Sequence, residues 1–168
     1  MNRYRRIAFL ISALLGVLIL TTGCGNGGTV DKIEMDRIRE AMMSAGKDLP
    51  EMSVADDSGK SAKTQFAYLS TMDYQKVDRF FLAYATDGNH HADEIAVIAV
   101  KQADDVKAAE KSLNQHMQKR RALYEQYNPS QLTRIDSAQV FTKGRCAVLI
   151  LCDKQAAVKA AFQKALSK

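Results

Sequence analysis

His90, His91, Asp93 and Glu94 lie within one five-residue stretch and form the densest set of metal-capable side chains in the sequence. Neutral imidazoles and carboxylates together suit zinc or a related ion, and the third histidine, His116, would reach them if its helix packs alongside. Their spacing matches no ligand signature, however, and they follow Asp87-Gly88-Asn89, turn residues that place a histidine pair at a solvated hairpin tip. A small metal-dependent enzyme or metal-binding protein using these four residues is therefore the alternative reading, and no metal site is assigned. Arg120 is the other candidate. It falls in line with the apolar stripe of its helix, so it is directed inward, while Asp93-Glu94 open a predicted strand. A buried ion pair between them would orient helix on sheet; the other use of an inward arginine is to hold an acidic ligand.

Other chemistry is excluded by what is missing. Ser58-Gly59-Lys60-Ser61 matches the end of a phosphate-binding loop, but Val54 stands where that pattern needs glycine and no strand is expected before it, so a polar loop is the reading. There is no Gly-x-Ser-x-Gly and no cysteine paired with histidine. Cys146 and Cys152 fall in an apolar strand, about 20 Å apart along one face, which forbids a bridge between them and raises rather than lowers a thiol pKa. The absence of tryptophan weakens a carbohydrate-binding reading. No catalytic residue is assigned and no cofactor is expected.

The start of the chain carries the strongest chemical signal. Arg3, Arg5 and Arg6 precede an apolar run at residues 7–20, and small residues follow it up to Cys24. Fourteen residues at about 1.5 Å each fall short of a hydrocarbon core of about 30 Å, so a stable span is disfavoured. A basic head, a short apolar middle and a small-residue end make a secretory signal. Thr21-Thr22-Gly23-Cys24 resembles the lipobox of bacterial lipoproteins, in which the cysteine becomes the mature amino terminus and its sulfur takes a diacylglyceryl group; a branched apolar residue is commonest where Thr21 stands. Two acyl chains anchor durably where one does not. The expected organisation is a lipoprotein signal peptide at 1–23, a lipidated flexible tether at 24–30 and a single domain at 31–168.

Residues 1–23 hold three of the 24 basic residues and none of the 19 acidic ones, so the remainder carries only +2. The basic balance of the full chain thus belongs partly to the signal, and a nucleic-acid partner loses its support. The like-sign run Lys119-Arg120-Arg121 suits a helix end favoured by the dipole, with anionic lipid headgroups as another partner for it.

Positioning these residues falls to a set of elements read from periodicity. Ile33, Ile38, Ala41, Met42 and Ala45 share a helical face over 31–45, and Gly46 stops that helix. Residues 47–64, polar and broken by Pro50 and Gly59, read as a long connection. Apolar runs at 79–85 and 94–101 flank the Asp87-Gly88-Asn89 turn and predict an antiparallel hairpin. A long helix over 104–127 follows, with Val106, Ala109, Leu113, Met117, Tyr124 and Tyr127 as its buried stripe. Strands at 138–142 and 145–152 join at Lys143-Gly144, and Asp153 caps a last helix that buries Val158, Ala161, Phe162, Ala165 and Leu166. The fold class is α+β, a mostly antiparallel four-stranded sheet in the order α-β-β-α-β-β-α. Strands apolar on both faces need cover on both sides; three helices leave room for a dimer or a protein partner to supply the rest.

Read together, "VDRFFLAYATDG", "ADEIAVIAVK", "KRRALYEQYNP", "AQVFTKGRCAVLILCD" and "VKAAF" resemble a family of bacterial lipoproteins known as domain of unknown function 4358, found mainly in Gram-positive Firmicutes. The resemblance runs over residues 77–166 and rests on the order and spacing of Asp93-Glu94-Ile95, Tyr127-x-Pro129 and the Lys143-Gly144 turn. It implies a lipid-anchored protein on the outer face of the cell membrane with a small α+β domain, and it brings no activity or catalytic residues. The expectation is a non-enzymatic binding or accessory module, held to the membrane through its lipid.

Overall fold

A computed structural model describes residues 33–167. The expected signal peptide, the tether and Cys24 lie outside the described residues. Among the described residues no helix is long and apolar enough to cross a membrane.

Among the described residues five α-helices and five strands follow in the order α1 (Met35–Ala45), β1 (Met52–Asp56), α2 (Ala62–Leu69), β2 (Val77–Ala85), β3 (Glu94–Val100), α3 (Val106–Tyr127), α4 (Leu132–Asp136), β4 (Gln139–Lys143), β5 (Cys146–Leu151) and α5 (Gln155–Leu166). The strands form one antiparallel sheet in the order β1-β2-β3-β5-β4. The α+β class and both predicted hairpins are present, but the sheet has five strands, not four, and the helices number five, not three. Residues 47–64, expected as a connection, contain β1 and lead into α2. A short edge strand with a single buried residue, Ala55, has no alternation for periodicity to detect.

Alternation along the strands sends apolar side chains to both faces. On one face Phe80, Leu82, Ala96, Ile98, Ala147 and Leu149 pack beneath α2, α3 and α4; on the other Phe81, Ala83, Ile95, Val97, Val148 and Ile150 pack beneath α1 and α5. Central β3 is buried from end to end. Both faces are therefore covered within the chain, and α2 and α4 supply the cover that three helices would have left to a partner. Cys146 and Cys152 are unbridged and buried in the α1/α5 layer, where burial pushes the Cys146 thiol up to about 12 and that of Cys152 upward.

Local chemistry explains the boundaries. Gly46 ends α1 with a negative φ of −84°; a Cβ there would sit 2.6 Å from Leu49 Cδ1, so a larger residue would have to displace the Leu49 side chain. Gly144, at φ +56°, makes the tight β4–β5 turn in which Lys143 pairs with Cys146. Two expectations fail at helix ends. Tyr127 is exposed rather than part of the α3 stripe, and Asp153 does not cap α5: Lys154 occupies that position, and Asp153 instead pairs with Arg134 at 2.8 Å.

Candidate functional site

The start of β3 is the polar end of an otherwise apolar strand, and α3 crosses above it. Glu94 is 1% exposed. Its Oε1 accepts from His116 Nε2 at 2.7 Å, and its Oε2 lies 3.0 Å from Arg120 Nε, close enough for an ion pair but without hydrogen-bond alignment. His116 and Arg120 are four apart on α3, so one helical face delivers both to the same carboxylate. Arg120 also donates through Nη2 to the Ala92 carbonyl at 3.0 Å, and its guanidinium lies over the Tyr124 ring. The ion pair expected between Arg120 and the Asp93-Glu94 step is thus present through Glu94. Asp93 goes elsewhere: its Oδ1 accepts from Arg134 of α4 at 2.6 Å, while its buried Oδ2 has no hydrogen-bond partner.

The loop at residues 86–93 is strapped to the carboxyl end of α3. The Tyr124 hydroxyl lies between the carbonyls of Gly88, at 2.5 Å, and His91, at 3.0 Å, and Asn128 Nδ2 donates to the Asn89 carbonyl at 2.7 Å. Burial pushes the Tyr124 phenol above its ordinary pKa. His90 and His91 sit exposed on this loop, His90 Nδ1 being 2.7 Å from Asp87 Oδ2. The structure therefore does not gather His90, His91, Asp93 and Glu94 around one point, and among the described residues no group of three or more His, Cys, Asp or Glu is placed to hold a metal ion. Only Glu94 and His116 of the five come together, and Arg120 occupies the third position.

Two grooves adjoin this buried triad. One, of about 530 Å³, runs between α2 and α3 and is lined by Val54, Tyr68, Leu82, Tyr84 and the triad itself. The other, of about 640 Å³, lies towards the loop and is lined by Gly88, His90, Leu123, Tyr124, Tyr127 and again Arg120. Arg120 is the wall they share. Among the described residues the exposed large hydrophobics are Val54, Tyr68, Tyr84, Leu123 and Tyr127, and each lines one of these two grooves. Tyr68 and Tyr127 are both 76% exposed. Large apolar side chains are thus exposed on two sides of one arginine.

Sequence reasoning reached Arg120 and Glu94 because an arginine in register with an apolar stripe has to find a carboxylate. It missed the α2 side of the groove, because Gln65 and Tyr68 belong to a helix whose start lay inside the supposed connection. The Ser58-Gly59-Lys60-Ser61 segment does follow a strand and precede a helix, contrary to expectation, but its Ser58 hydroxyl and amide are taken by Asp56 Oδ1.

A family model described as a domain of unknown function (DUF4358) matches residues 53–152. The matched span runs from β1 to the end of β5 and takes in both grooves, while α1 and α5 lie beyond it. No curated protein and no solved structure matches the chain.

Proposed function

The chain belongs to the DUF4358 family, and from that premise we propose that it is a lipid-anchored, extracytoplasmic binding module that engages a partner through the paired grooves around Arg120. The observation that carries the reading is that, among the described residues, every exposed large hydrophobic lines or borders one of those grooves. Aromatic side chains present large contact area for little lost rotamer freedom, and a guanidinium between them adds directional polar contact; these are the residue types that dominate binding energy at interfaces. Both sheet faces are covered by the chain's own helices, so the fold does not need a partner for its core. A partner engages the grooves as a surface, and the domain stands folded without it.

Anchoring rests on the sequence: the basic head, the apolar run at 7–20 and Cys24 after Gly23. The tether at 24–30, rich in glycine, sets the domain off the outer face of the membrane.

The chain recovered from its native membranes tests both halves. The mass of its amino-terminal peptide is expected to show diacylglyceryl on Cys24; an uncleaved or unmodified terminus overturns the anchor. Solubilised in mild detergent, the wild type is expected to bring down a defined partner, with at least a tenfold loss for the Tyr68→Ala/Tyr127→Ala double variant. Both tyrosines are largely exposed, so that variant keeps its fold. Equal recovery by wild type and variant overturns the groove.

A further inference from the structure

The groove between α2 and α3 reaches the edge of the sheet, and among the described residues no further strand lies beside that edge. Strand β1 pairs with β2 from Met52↔Ala85 to Asp56↔Phe81 and ends the sheet; among the described residues its outer side has no further backbone partner. An open edge is a row of unpaired amides and carbonyls, usually guarded by lysine, proline or a bulge. Strand β4, at the other edge, ends in Lys143, and its Phe141 is closed over by Phe162 and the Lys159 ammonium. Strand β1, Met52–Asp56, has no lysine, no proline and a regular register, with Val54 46% exposed at its centre. Ala55 lines the α2–α3 groove beside Tyr68 and Tyr84, and Val54 borders it at the strand edge, in register with Ala83 of the other sheet face.

We propose that β1 is a docking edge for an extended segment of another protein, which adds as a sixth strand. Its side chains alternate, so every second one enters the α2–α3 groove; the added segment carries apolar residues at those positions and lysine or arginine at its ends. This names the partner class for the groove and rests on the reading of that groove as the binding surface. Backbone pairing supplies affinity in strand addition and the pocket beside it supplies selectivity. A strand spacing of about 4.8 Å sets the new side chains directly against the β1 wall of the groove.

Charge selects the occupant. Arg39 and Arg79 face three carboxylates: Arg39 is 3.0 Å from Asp36 and 2.7 Å from Asp56, and Arg79 is 3.5 Å from Asp36 and also bonded to Asp57. With exposed Glu51 at the other end of β1, four carboxylates stand against these two arginines, and a carboxylate lies at each end of the strand. A second copy is the poorer fit: the antiparallel self-pairing centred on Val54 sets Glu51 against Asp57 across the two-fold axis, a like-charge contact. A segment with basic ends meets the same two positions favourably.

The test is selection of random octapeptides displayed on phage against the full chain, followed by synthesis of the enriched sequence. Strand addition predicts alternating apolar residues with basic ends, and a loss of at least tenfold when one alternate set of backbone amides is N-methylated but not the other, since only one set faces β1. Val54→Lys is expected to cause a comparable loss while leaving the circular dichroism spectrum unchanged. If N-methylation of either set is without effect but Tyr68→Ala abolishes binding, strand addition fails and the groove stands. Peptides indifferent to both changes overturn both. No enrichment, or a wild-type dimer that Val54→Lys turns into monomer, overturns the proposal.

Discussion

At the scale of single residues, Glu94 is one of two buried, ion-paired carboxylates among the described residues, beside Asp93. It is a carboxylate removed from water and held between one imidazole and one guanidinium. Removing a partner from such a group leaves charge buried without compensation, which costs several times what an exposed pair is worth. Arg120→Met is expected to lower the unfolding free energy by about 3 kcal/mol in urea titration, and Glu94→Leu in the same chain to recover at least half of that, because the double change removes the stranded charge. A loss below about 1 kcal/mol for Arg120→Met would show that the pair is solvated. Asp56 makes a smaller and pH-dependent contribution. Hydrogen bonding from Ser58 first, and then the Arg39 charge, hold its carboxyl below the ordinary 3.8 against the opposing effect of burial. A folded pKa below the unfolded one stabilises the fold above the unfolded value, and this is lost as pH falls through the folded pKa. Stability measured from pH 5 downward should therefore fall less steeply in Asp56→Asn, which is less stable than wild type by about 1 kcal/mol or less at pH 7. Parallel acid limbs would contradict the assignment.

At the scale of elements, the loop between β2 and β3 is the part whose placement matters most and was least evident in advance. Its turn chemistry was plain in Asp87-Gly88-Asn89, and the histidines after it suggested a shared site with Asp93 and Glu94. What decides the geometry is the strapping of loop backbone to α3 by Tyr124 and Asn128, contacts 33 to 39 residues apart in sequence that no local pattern encodes. Tyr124→Phe removes the donor and leaves two carbonyls unpaired, so amide exchange across residues 88–92 is expected to accelerate several-fold, with about 1 kcal/mol lost from stability. Unchanged exchange would mean that the loop holds itself. The same contrast runs through the fold. The two hairpins were legible from apolar runs flanking turn residues, and α1, α3 and α5 from their helical apolar faces. Strand β1 and helices α2 and α4 were not: each is eight residues or fewer, β1 depending on pairing with β2 and the two helices on the sheet face they cover rather than on their own propensity. The unread α2 is also one wall of the groove, which is why half of the candidate site stayed hidden while Arg120 and Glu94 were visible.

At the scale of the molecule, the apolar strands that raised the question of missing cover are answered within the chain, since helices lie on both faces. The proposed contact surface is narrower and more specific: the β1 edge, which has no further strand beside it among the described residues, and two aromatic-rimmed grooves meeting at Arg120, within the span matched by the family model. On the opposite face α5 bears Lys159 against Phe141, away from both grooves. That asymmetry gives the most direct test. A photo-crosslinking residue is placed singly at Tyr68, Leu123 or Lys159 in the full-length chain and activated in intact cells. The account predicts one shared adduct from Tyr68 and Leu123 and none of that mass from Lys159. Adducts of the same mass from all three positions, or from Lys159 alone, would contradict the claim that the grooves around Arg120 are where this protein meets its partner.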